Sequence, residues 1–258
     1  MRSFVKKWLG GTELKAAPVR PSIPAGQRLY CIGDIHGRLD LLQELHRKVE
    51  DDARDYDGHK TLVYLGDYID RGEHSKEVID LLLASPLAGF KTVFLMGNHE
   101  QTLLDFLLHP RDVASWLTYG GRATLQSYGV AVFREFVSGD IDVLRDEFEA
   151  KLPQSHLEFY RSCEMTYVVG AYCFVHAGIR PGIALGEQRD QDLLWIRGDF
   201  IDSGVIHEHI VVHGHSITPE VEWLPNRIGI DTGAFQSGVL TCLVLEREEQ
   251  RLLQTGCL

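Results

Sequence analysis

Five short segments of the chain place metal-ligand side chains directly after apolar runs. They read Gly33-Asp34-Ile35-His36-Gly37, Gly66-Asp67-Tyr68-Ile69-Asp70-Arg71-Gly72, Gly97-Asn98-His99-Glu100, His176-Ala177-Gly178 and His213-Gly214-His215. Together they offer enough carboxylate, imidazole and amide ligands for two divalent metal ions, with an arginine and a histidine to spare. Because metal-assisted hydrolysis of a phosphate ester requires this inventory, the segments predict that reaction class.

Length and charge restrict the other possibilities. The 258 residues suffice for one domain with a sizeable core. The formal net charge of -11 argues against a nucleic-acid partner, because binding to a nucleic-acid backbone relies on clustered Lys and Arg. No apolar stretch approaches the ~18 residues of a membrane-spanning helix, so we expect no transmembrane segment. The five cysteines form no CxxC pair, which favours buried free thiols and a cytoplasmic location. The sequence does not indicate the oligomeric state.

Strands alternate with helices in the first part of the chain. We interpret residues 1–27, which contain three prolines and no sustained period, as an N-terminal tail or strap, and residues 28–258 as the domain. Apolar spacing predicts strands over 29–32, 61–65 and 92–96 and helices over 38–50, 78–83 and 101–108. This alternation predicts an α/β fold with a parallel or mixed sheet covered by helices.

The alternation of predicted strands and helices stops at about residues 105–162, which we interpret as a helical insertion. Strand patterns return over 166–169, 172–175, 210–212, 221–224, 228–230 and 239–245. Because the later strands lie close together in sequence, we expect them to be antiparallel.

Three of the ligand segments follow strands in the same way. Asp34, Asp67 and Asn98 each come one glycine after an apolar strand, and glycine allows a tight turn and close backbone approach. Ligands bind at the carboxyl edge of such sheets, so three oxygen ligands should converge there. His36 can reach the same ion as Asp34, and Asp67 could bridge two ions.

The later segments add histidines. His176 and His215 come from later strand ends, and mixed nitrogen and oxygen ligands suit Mn, Fe or Zn better than Ca. His213 and His215 lie two residues apart and would face the same side of a strand, so the pattern alone does not choose between them.

Arg71 and Arg197 are candidates for a phosphate clamp, because guanidinium forks match phosphate oxygens. Arg197 could equally be a surface residue on this pattern. A free imidazole at His99 could donate a proton to the leaving oxygen if a carboxylate kept it protonated, and Asp70 is the obvious partner. The alternative is that Asp70 pairs with its neighbour Arg71.

The ordered series GDIHG, GDYIDRG, GNHE, HAG and HGH resembles the metal-dependent phosphoprotein phosphatase family, and more narrowly its bacterial and phage serine/threonine and tyrosine phosphatases of calcineurin-like fold. The resemblance spans about residues 28–246 and implies a sandwich of two mixed β-sheets flanked by helices. It implies that Asp34, His36 and Asp67 hold one metal, and that the second is held by Asp67, Asn98, His176 and His215. It also implies that His99, backed by Asp70, is the general acid, and that Arg71 and Arg197 bind phosphate.

The resemblance also bears on the substrate. It implies attack by a hydroxide that bridges two divalent ions on phosphoserine or phosphothreonine in a protein, with phosphotyrosine as a side activity. A related bacterial branch hydrolyses diadenosine tetraphosphate, typically carries GNHD and lacks the acid corresponding to Asp70. Glu100 and Asp70 therefore favour the phosphatase branch, and a symmetrical dinucleoside tetraphosphate hydrolase is the alternative. A non-catalytic binding module is a third hypothesis, which the complete set of ligands, acid and arginines disfavours.

Overall fold

Two five-stranded β-sheets pack face to face in the computed structural model, which describes residues 21–84, 87–132 and 141–256. Helices cover the outer faces of both sheets, as the clusters of buried side chains show. This is the α/β sandwich with two mixed sheets that the sequence predicted, and that prediction is confirmed. None of the helices in the described ranges is long and apolar enough to cross a membrane.

The first sheet has the strand order β10-β9-β1-β2-β3. Its strands are β1 (Gln27–Ile32), β2 (His59–Tyr64), β3 (Phe90–Phe94), β9 (Thr241–Glu246) and β10 (Glu249–Gln254). The central pairs β1–β2 and β2–β3 are parallel, whereas β9 is antiparallel to both β1 and β10. The carboxyl ends of three parallel strands therefore meet at one edge.

The second sheet has the order β4-β5-β6-β8-β7. Its strands are β4 (Thr166–Val169), β5 (Tyr172–Val175), β6 (Ile210–His213), β7 (Glu222–Trp223) and β8 (Arg227–Gly229). The expectation that the later strands are antiparallel is wrong for β5–β6 and β6–β8, which are parallel. The reason is the connection between β5 and β6, which carries helices and can cross over the sheet. The sequence analysis also missed β10.

The helices are α1 (Leu39–Ala53), α2 (Ser75–Leu83), α3 (Asn98–Leu108), α4 (Gly121–Ser127), α5 (Ile141–Lys151), α6 (Gln154–Ser162), α7 (Asp190–Trp195), α8 (Gly198–Ile201) and α9 (Ala234–Ser237), with short 3-10 turns over Ala114–Thr118 and Leu185–Glu187. Helix α1 buries the apolar stripe that defined it in the sequence, including Leu41, Leu45 and Val49. Helix α3 begins at Asn98, three residues earlier than predicted, so the GNHE segment forms its first turn.

Side chains of β1 alternate between two cores, because successive residues of a strand face opposite sides of a sheet. Leu29 and Cys31 pack between the sheets against residues of the second sheet such as Phe174. Truncation of Phe174 to Ala would lower the free energy of unfolding by about 3–5 kcal/mol. Tyr30 and Ile32 face the helical layer. Both cores are continuous with the loops that leave the strands, so they hold the strand ends in fixed positions.

The region about residues 105–162 carries helices α4 to α6 and packs on the first sheet. Trp116, Tyr128 and Phe148 belong to the same buried cluster as the β1 and α1 side chains. The segment 133–140 and the first 20 residues of the predicted tail lie outside the described residues. Within the rest of that tail, Ile23 is buried and its backbone N–H donates to the carbonyl of Arg247.

Candidate active site

Loops from both sheets converge at one edge of the sandwich. Asp34 follows β1, Asp67 follows β2, and Asn98 opens α3 after β3. From the second sheet, His176 directly follows β5 and His215 follows β6. The structure therefore brings the predicted ligands from five strand ends to one place.

The backbone of this edge is strained at the predicted site residues. Outside glycine, positive φ occurs in the described ranges at only one residue beyond the site, Arg247. The site residues with positive φ are His36 (48°), Asp67 (51°), Asp70 (73°), Arg71 (68°) and His215 (61°). Such conformations cost of order 1–3 kcal/mol each and persist only where the surroundings enforce them. The fold thus stabilises an unfavourable backbone to aim these side chains.

Two motif glycines allow this close approach. A Cβ on Gly66, which has φ +98°, would lie 2.5 Å from the backbone nitrogen of Gly97. A Cβ on Gly97 would lie 2.2 Å from the backbone nitrogen of Asp67. The glycines preceding Asp67 and Asn98 therefore touch each other's loops, and any side chain at either position would push the two ligands apart.

The carboxylate of Asp67 lies at the centre of the site. Its oxygens are 3.5 Å from Nε2 of His36 and 3.5 Å from Nε2 of His176. The other ring nitrogens are 2.8 Å and 2.9 Å from the carbonyls of Ile69 and Leu65. An Nδ1–H that donates to a carbonyl fixes the tautomer with a free Nε2, the form in which histidine binds a metal.

Two clusters of side chains could each hold an ion: His36, Asp67 and His99 form one, and Asp67, His176 and His215 form the other. The shared Asp67 is the bridging position predicted from sequence. Asn98, also predicted as a ligand, lies beside the second cluster with its Oδ1 2.8 Å from Nε2 of His176.

The charges of these residues fit bound cations. Burial and the neighbouring carboxylates Asp231 and Asp67 raise the pKa of Asp34 well above its usual range. Burial likewise raises the pKa of Asp231 to about 6. Burial lowers the pKa of His36 to about 3 and of His215 to about 2, so both imidazoles are neutral. Crowded carboxylates beside neutral imidazoles would be relieved by a divalent cation.

His215 supplies a further sign of a missing partner. Its Nε2 is buried and has no hydrogen-bond partner. A buried polar group without a partner costs free energy, and a metal ion at this position would satisfy it. The residues present therefore fit the metals that the sequence predicted.

The structure separates the two candidate histidines of the HGH segment. His215 joins the second cluster, whereas His213 points to Arg227, whose Nη1 lies 3.2 Å from the His213 Nε2. Arg227 is itself buried and donates to Glu222. His213 is thus part of a buried polar network that supports the loop rather than a member of either cluster.

Asp34, predicted as a ligand of the first metal, lies beside the loop that carries His215. Its carboxylate accepts a hydrogen bond from the backbone N–H of His215, at 3.0 Å, and it is not a member of either cluster. Burial and the nearby charges of Asp231 and Asp67 raise the pKa of the Asp34 carboxyl well above its usual range. A bound cation would relieve the repulsion among these carboxylates.

His99 is held by Asp70, whose Oδ2 lies 2.5 Å from the His99 Nδ1. Burial alone would lower the pKa of His99, but the charge of Asp67 and the bond to Asp70 raise it to about 9. These neighbours favour the protonated imidazole, the form that a general acid needs. His99 also belongs to the first metal-capable cluster. Because a protonated imidazole cannot bind a metal, an experiment can distinguish a role as general acid from a role as metal ligand.

Two residues that the sequence analysis missed hold Asp70 in turn. The Trp116 Nε1–H donates to Asp70 Oδ2 at 2.6 Å, and the Thr124 hydroxyl donates to Oδ1 at 2.5 Å. Both come from the helical region, 46 and 54 residues away along the chain. No local pattern in the sequence links either residue to Asp70. Asp70 makes these bonds and the one to His99 rather than pairing with Arg71.

The two arginines lie on the open side of the clusters. Arg71 Nη2 is 3.3 Å from His99 Nε2, and its guanidinium lies 4.5 Å above the ring of Phe235, another residue that the sequence analysis missed. Arg197 Nη1 donates to the His215 carbonyl at 3.2 Å. Both line an open cleft of about 590 Å³ together with Asn98 and His99. The arginines thus face the solvent-filled space in front of the ligands.

Glu100 has a role different from the one its motif suggested. Its buried carboxylate accepts hydrogen bonds from the backbone N–H groups of Asp67, Tyr68, Ile69 and Gly97, at 2.8 to 3.3 Å. It ties the loop after β2 to the start of α3 and does not line the cleft. A residue that contacts only backbone amides cannot distinguish a phosphoprotein from a dinucleotide, so Glu100 carries no information on the substrate.

Known proteins share this fold over nearly its whole length. The bis(5'-nucleosyl)-tetraphosphatase PrpE [asymmetrical] of Anoxybacillus flavithermus is 26% identical over 233 residues, which cover 82% of this chain and 88% of the relative. The crystal structure of a candidate diadenosine tetraphosphatase aligns with a TM-score of 0.61 at 19% identity and covers 93% of this chain and 96% of its own. A cold-active protein tyrosine phosphatase aligns with a TM-score of 0.59 at 18% identity. The alignment covers 90% of this chain and 81% of the phosphatase chain.

The family model of the calcineurin-like phosphoesterases matches residues 27–178, more than half of the chain. That range includes four of the five ligand segments. It also includes every residue of the two metal-capable clusters except His215. Its members hydrolyse phosphoesters with divalent metal ions, which agrees with the ligand geometry. The chain belongs to the calcineurin-like phosphoesterase family.

Proposed function

We propose that this phosphoesterase hydrolyses dinucleoside polyphosphates at a phosphoanhydride bond. The observation that carries the proposal is the cleft of about 590 Å³, in which Arg71 and Arg197 lie with His99 in front of the ligand clusters. Two separate guanidinium groups in so wide a space suit a chain of several phosphates, because each fork can bind a different group.

The sequence relatives favour the same substrate. PrpE, a bis(5'-nucleosyl)-tetraphosphatase, is similar over 82% of this chain, whereas the cold-active protein tyrosine phosphatase aligns by structure at 18% identity. This supports the alternative considered in the sequence analysis more than its main expectation of a phosphoprotein. The relative is called asymmetrical, so we propose cleavage to a nucleoside monophosphate and a nucleoside triphosphate instead of the symmetrical cleavage first considered.

The chain's own residues supply binding and proton transfer. Arg71 and Arg197 bind the phosphate oxygens and stabilise the charge that develops on them. His99 gives its proton to the oxygen of the departing group, and Asp70 keeps the imidazole oriented while this happens. Two divalent ions, Mn, Fe or Zn, would provide Lewis-acid charge and activate the attacking water. One would be held by Asp34, His36 and Asp67, and the other by Asp67, Asn98, His176 and His215.

Product analysis tests this proposal. Metal-reconstituted protein should convert diadenosine tetraphosphate to AMP and ATP, resolved by ion-exchange chromatography. Two molecules of ADP would show symmetrical cleavage and contradict the asymmetrical assignment. No turnover of the dinucleotide, with rapid turnover of a phosphopeptide in the same preparation, would replace the proposed substrate with a phosphoprotein.

One observation favours a phosphomonoester of serine or threonine in a protein as a second candidate substrate. The buried pair of His99 and Asp70 keeps an acid protonated, which matters most when the leaving group is a poorly leaving alkoxide. A departing polyphosphate is a weak base and needs the acid less. Asp70→Asn should therefore slow a phosphoserine peptide more than nitrophenyl phosphate if the monoester is the natural substrate. Equal losses on both esters would remove the support for this candidate.

We also propose a cytoplasmic location, without a nucleic-acid partner. The location is supported by the cysteines: Cys31, Cys163, Cys173 and Cys242 are free thiols, and Cys257 lies outside the described residues. Free, largely buried thiols are typical of a reducing compartment. The net charge of -11 supports the absence of a nucleic-acid partner. Fractionation of the source cells, with an antibody to the protein, tests the location.

A further inference from the structure

Two exposed aromatic side chains stand at the mouth of the cleft. Trp195 is 41% exposed and Tyr119 is 68% exposed, and both line the cleft that contains Arg71 and Arg197. The ring of Trp195 lies edge-on to the ring of His215, with the centroids 6.3 Å apart. A large aromatic face that is open to solvent beside a reaction centre is available to a flat ligand.

Trp195 is positioned by the same segment as Arg197. The two residues before it, Leu193 and Leu194, are buried, and so is Ile196 between it and the arginine. Ile196 has an extended backbone, with φ -60° and ψ 140°. Residues two apart in an extended segment project to the same side, which agrees with Trp195 and Arg197 both lining the cleft. A group that stacks on Trp195 would therefore carry its phosphates toward the arginine.

The polar side chains around the aromatic pair suit a nucleobase. Gln191 and Ser115 line the cleft together with Asp112, and they offer amide, hydroxyl and carboxylate groups. Adenine presents both an exocyclic amine and ring-nitrogen acceptors, so it can bond to such a mixed set while its face stacks. A carboxylate at this place would repel a further phosphate but would accept a hydrogen bond from an amine.

We infer that Trp195 is the stacking platform of a nucleobase subsite and determines specificity for nucleotides over phosphates that lack a base. The inference rests on the proposed function, because it assigns the base of the dinucleotide to a place in the same cleft. Stacking of a base on an aromatic side chain typically contributes about 10- to 100-fold in affinity, which is about 1.4 to 2.7 kcal/mol.

The test compares two ligands that differ only in the base. Isothermal titration calorimetry on the metal-loaded protein would give dissociation constants for AMP and for ribose 5-phosphate. We expect AMP to bind at least tenfold more tightly, and we expect Trp195→Ala and Trp195→Leu to bring the two constants within about threefold. Trp195→Phe should keep most of the preference, since it keeps a π-face. Trp223→Ala is the matched control, because Trp223 is 44% exposed but lies on β7 outside the cleft.

The outcomes separate this inference from the proposed function. If wild-type protein shows no preference for AMP, or if both Trp195 truncations keep it, the subsite is wrong, even where the dinucleotide is hydrolysed. If the preference is present and depends on Trp195, but diadenosine tetraphosphate is not hydrolysed, the subsite stands and the proposed substrate is wrong. Loss of the preference in Trp223→Ala as well would show an indirect effect on the fold and would also overturn the inference.

Discussion

The floor and the rim of the cleft differ in how the chain builds them. We use floor for the residues of the two metal-capable clusters with Asp34 and Asn98, and rim for Tyr119 and Trp195. Each floor residue lies within five residues of a strand end, and three of them, His36, Asp67 and His215, have positive φ. The rim residues stand at the ends of a 3-10 turn and of a short helix. Residues at strand ends therefore form the proposed metal site, and residues of peripheral segments form the proposed base subsite.

The two regions also differ in exposure. Asp67 is 1% exposed and His176 is not exposed at all, whereas Tyr119 is 68% exposed. Burial strengthens each charge interaction on the floor, because the local dielectric is low and water does not compete. Changes on the floor should therefore cost far more than changes at the rim.

Asp67→Asn should have the largest effect, since this carboxylate belongs to both clusters. The amide keeps the size but removes the charge that two cations would share. We expect turnover to fall by more than about 10³-fold, beyond the 10² to 10³ typical of one lost stabilising group. Metal analysis should show less than the wild-type content of Mn after reconstitution of chelator-stripped protein.

Asp57→Asn is the control for this change, because Asp57 is exposed on the loop between α1 and β2. It should leave both turnover and metal content at the wild-type level. Full activity of chelator-stripped wild-type protein, or of Asp67→Asn, would show that the floor does not work through bridged cations.

His99→Asn should come next, because it removes the proposed acid and no bridging ligand. The expected loss is about 10² to 10⁴ in turnover with the metal content near normal, and it should shrink for an ester with a nitrophenol leaving group. His74→Asn, on a largely exposed histidine, is the matched control. An empty metal site in His99→Asn would make His99 a ligand, as its place beside His36 and Asp67 permits, and would contradict the assignment as acid.

The sequence could predict the floor because its residues stand in local patterns. A glycine followed by Asp or Asn after an apolar run already contains the strand, the tight turn and the ligand. The same reasoning fails for Trp116 and Thr124, because their contact with Asp70 depends on how the helical region packs, across 46 and 54 residues. It also fails for the parallel pairing of β6 with β8. Packing and long-range charge leave no local signature.

Trp116→Phe tests how strongly the helical region acts on the floor. The change keeps a buried aromatic ring but removes the N–H that donates to Asp70 Oδ2. A hydrogen bond to a charged group is worth about 1.5 to 3 kcal/mol, yet Thr124 still bonds to the other oxygen. We expect turnover to fall by about tenfold, less than for His99→Asn. Trp223→Phe should change nothing, and a silent Trp116→Phe would show that Asp70 does not need this bond.

Phe235→Leu should have the smallest effect, because the Phe235 ring contacts Arg71 and the ring of His36 but belongs to neither cluster. The Phe235 ring lies 4.5 Å from the guanidinium carbon, and such cation–π contacts contribute about 0.5 to 1 kcal/mol at partly exposed sites. Loss of the ring should therefore weaken inhibition by inorganic phosphate about two- to fivefold, with little change in metal content. Phe90, at the start of β3, makes a comparable contact with Lys60, whose Nζ lies 5.6 Å from the ring centroid. Phe90→Leu removes this contact and should leave phosphate inhibition unchanged. If the two variants behave alike, Phe235 fills space in the fold and does not position the arginine.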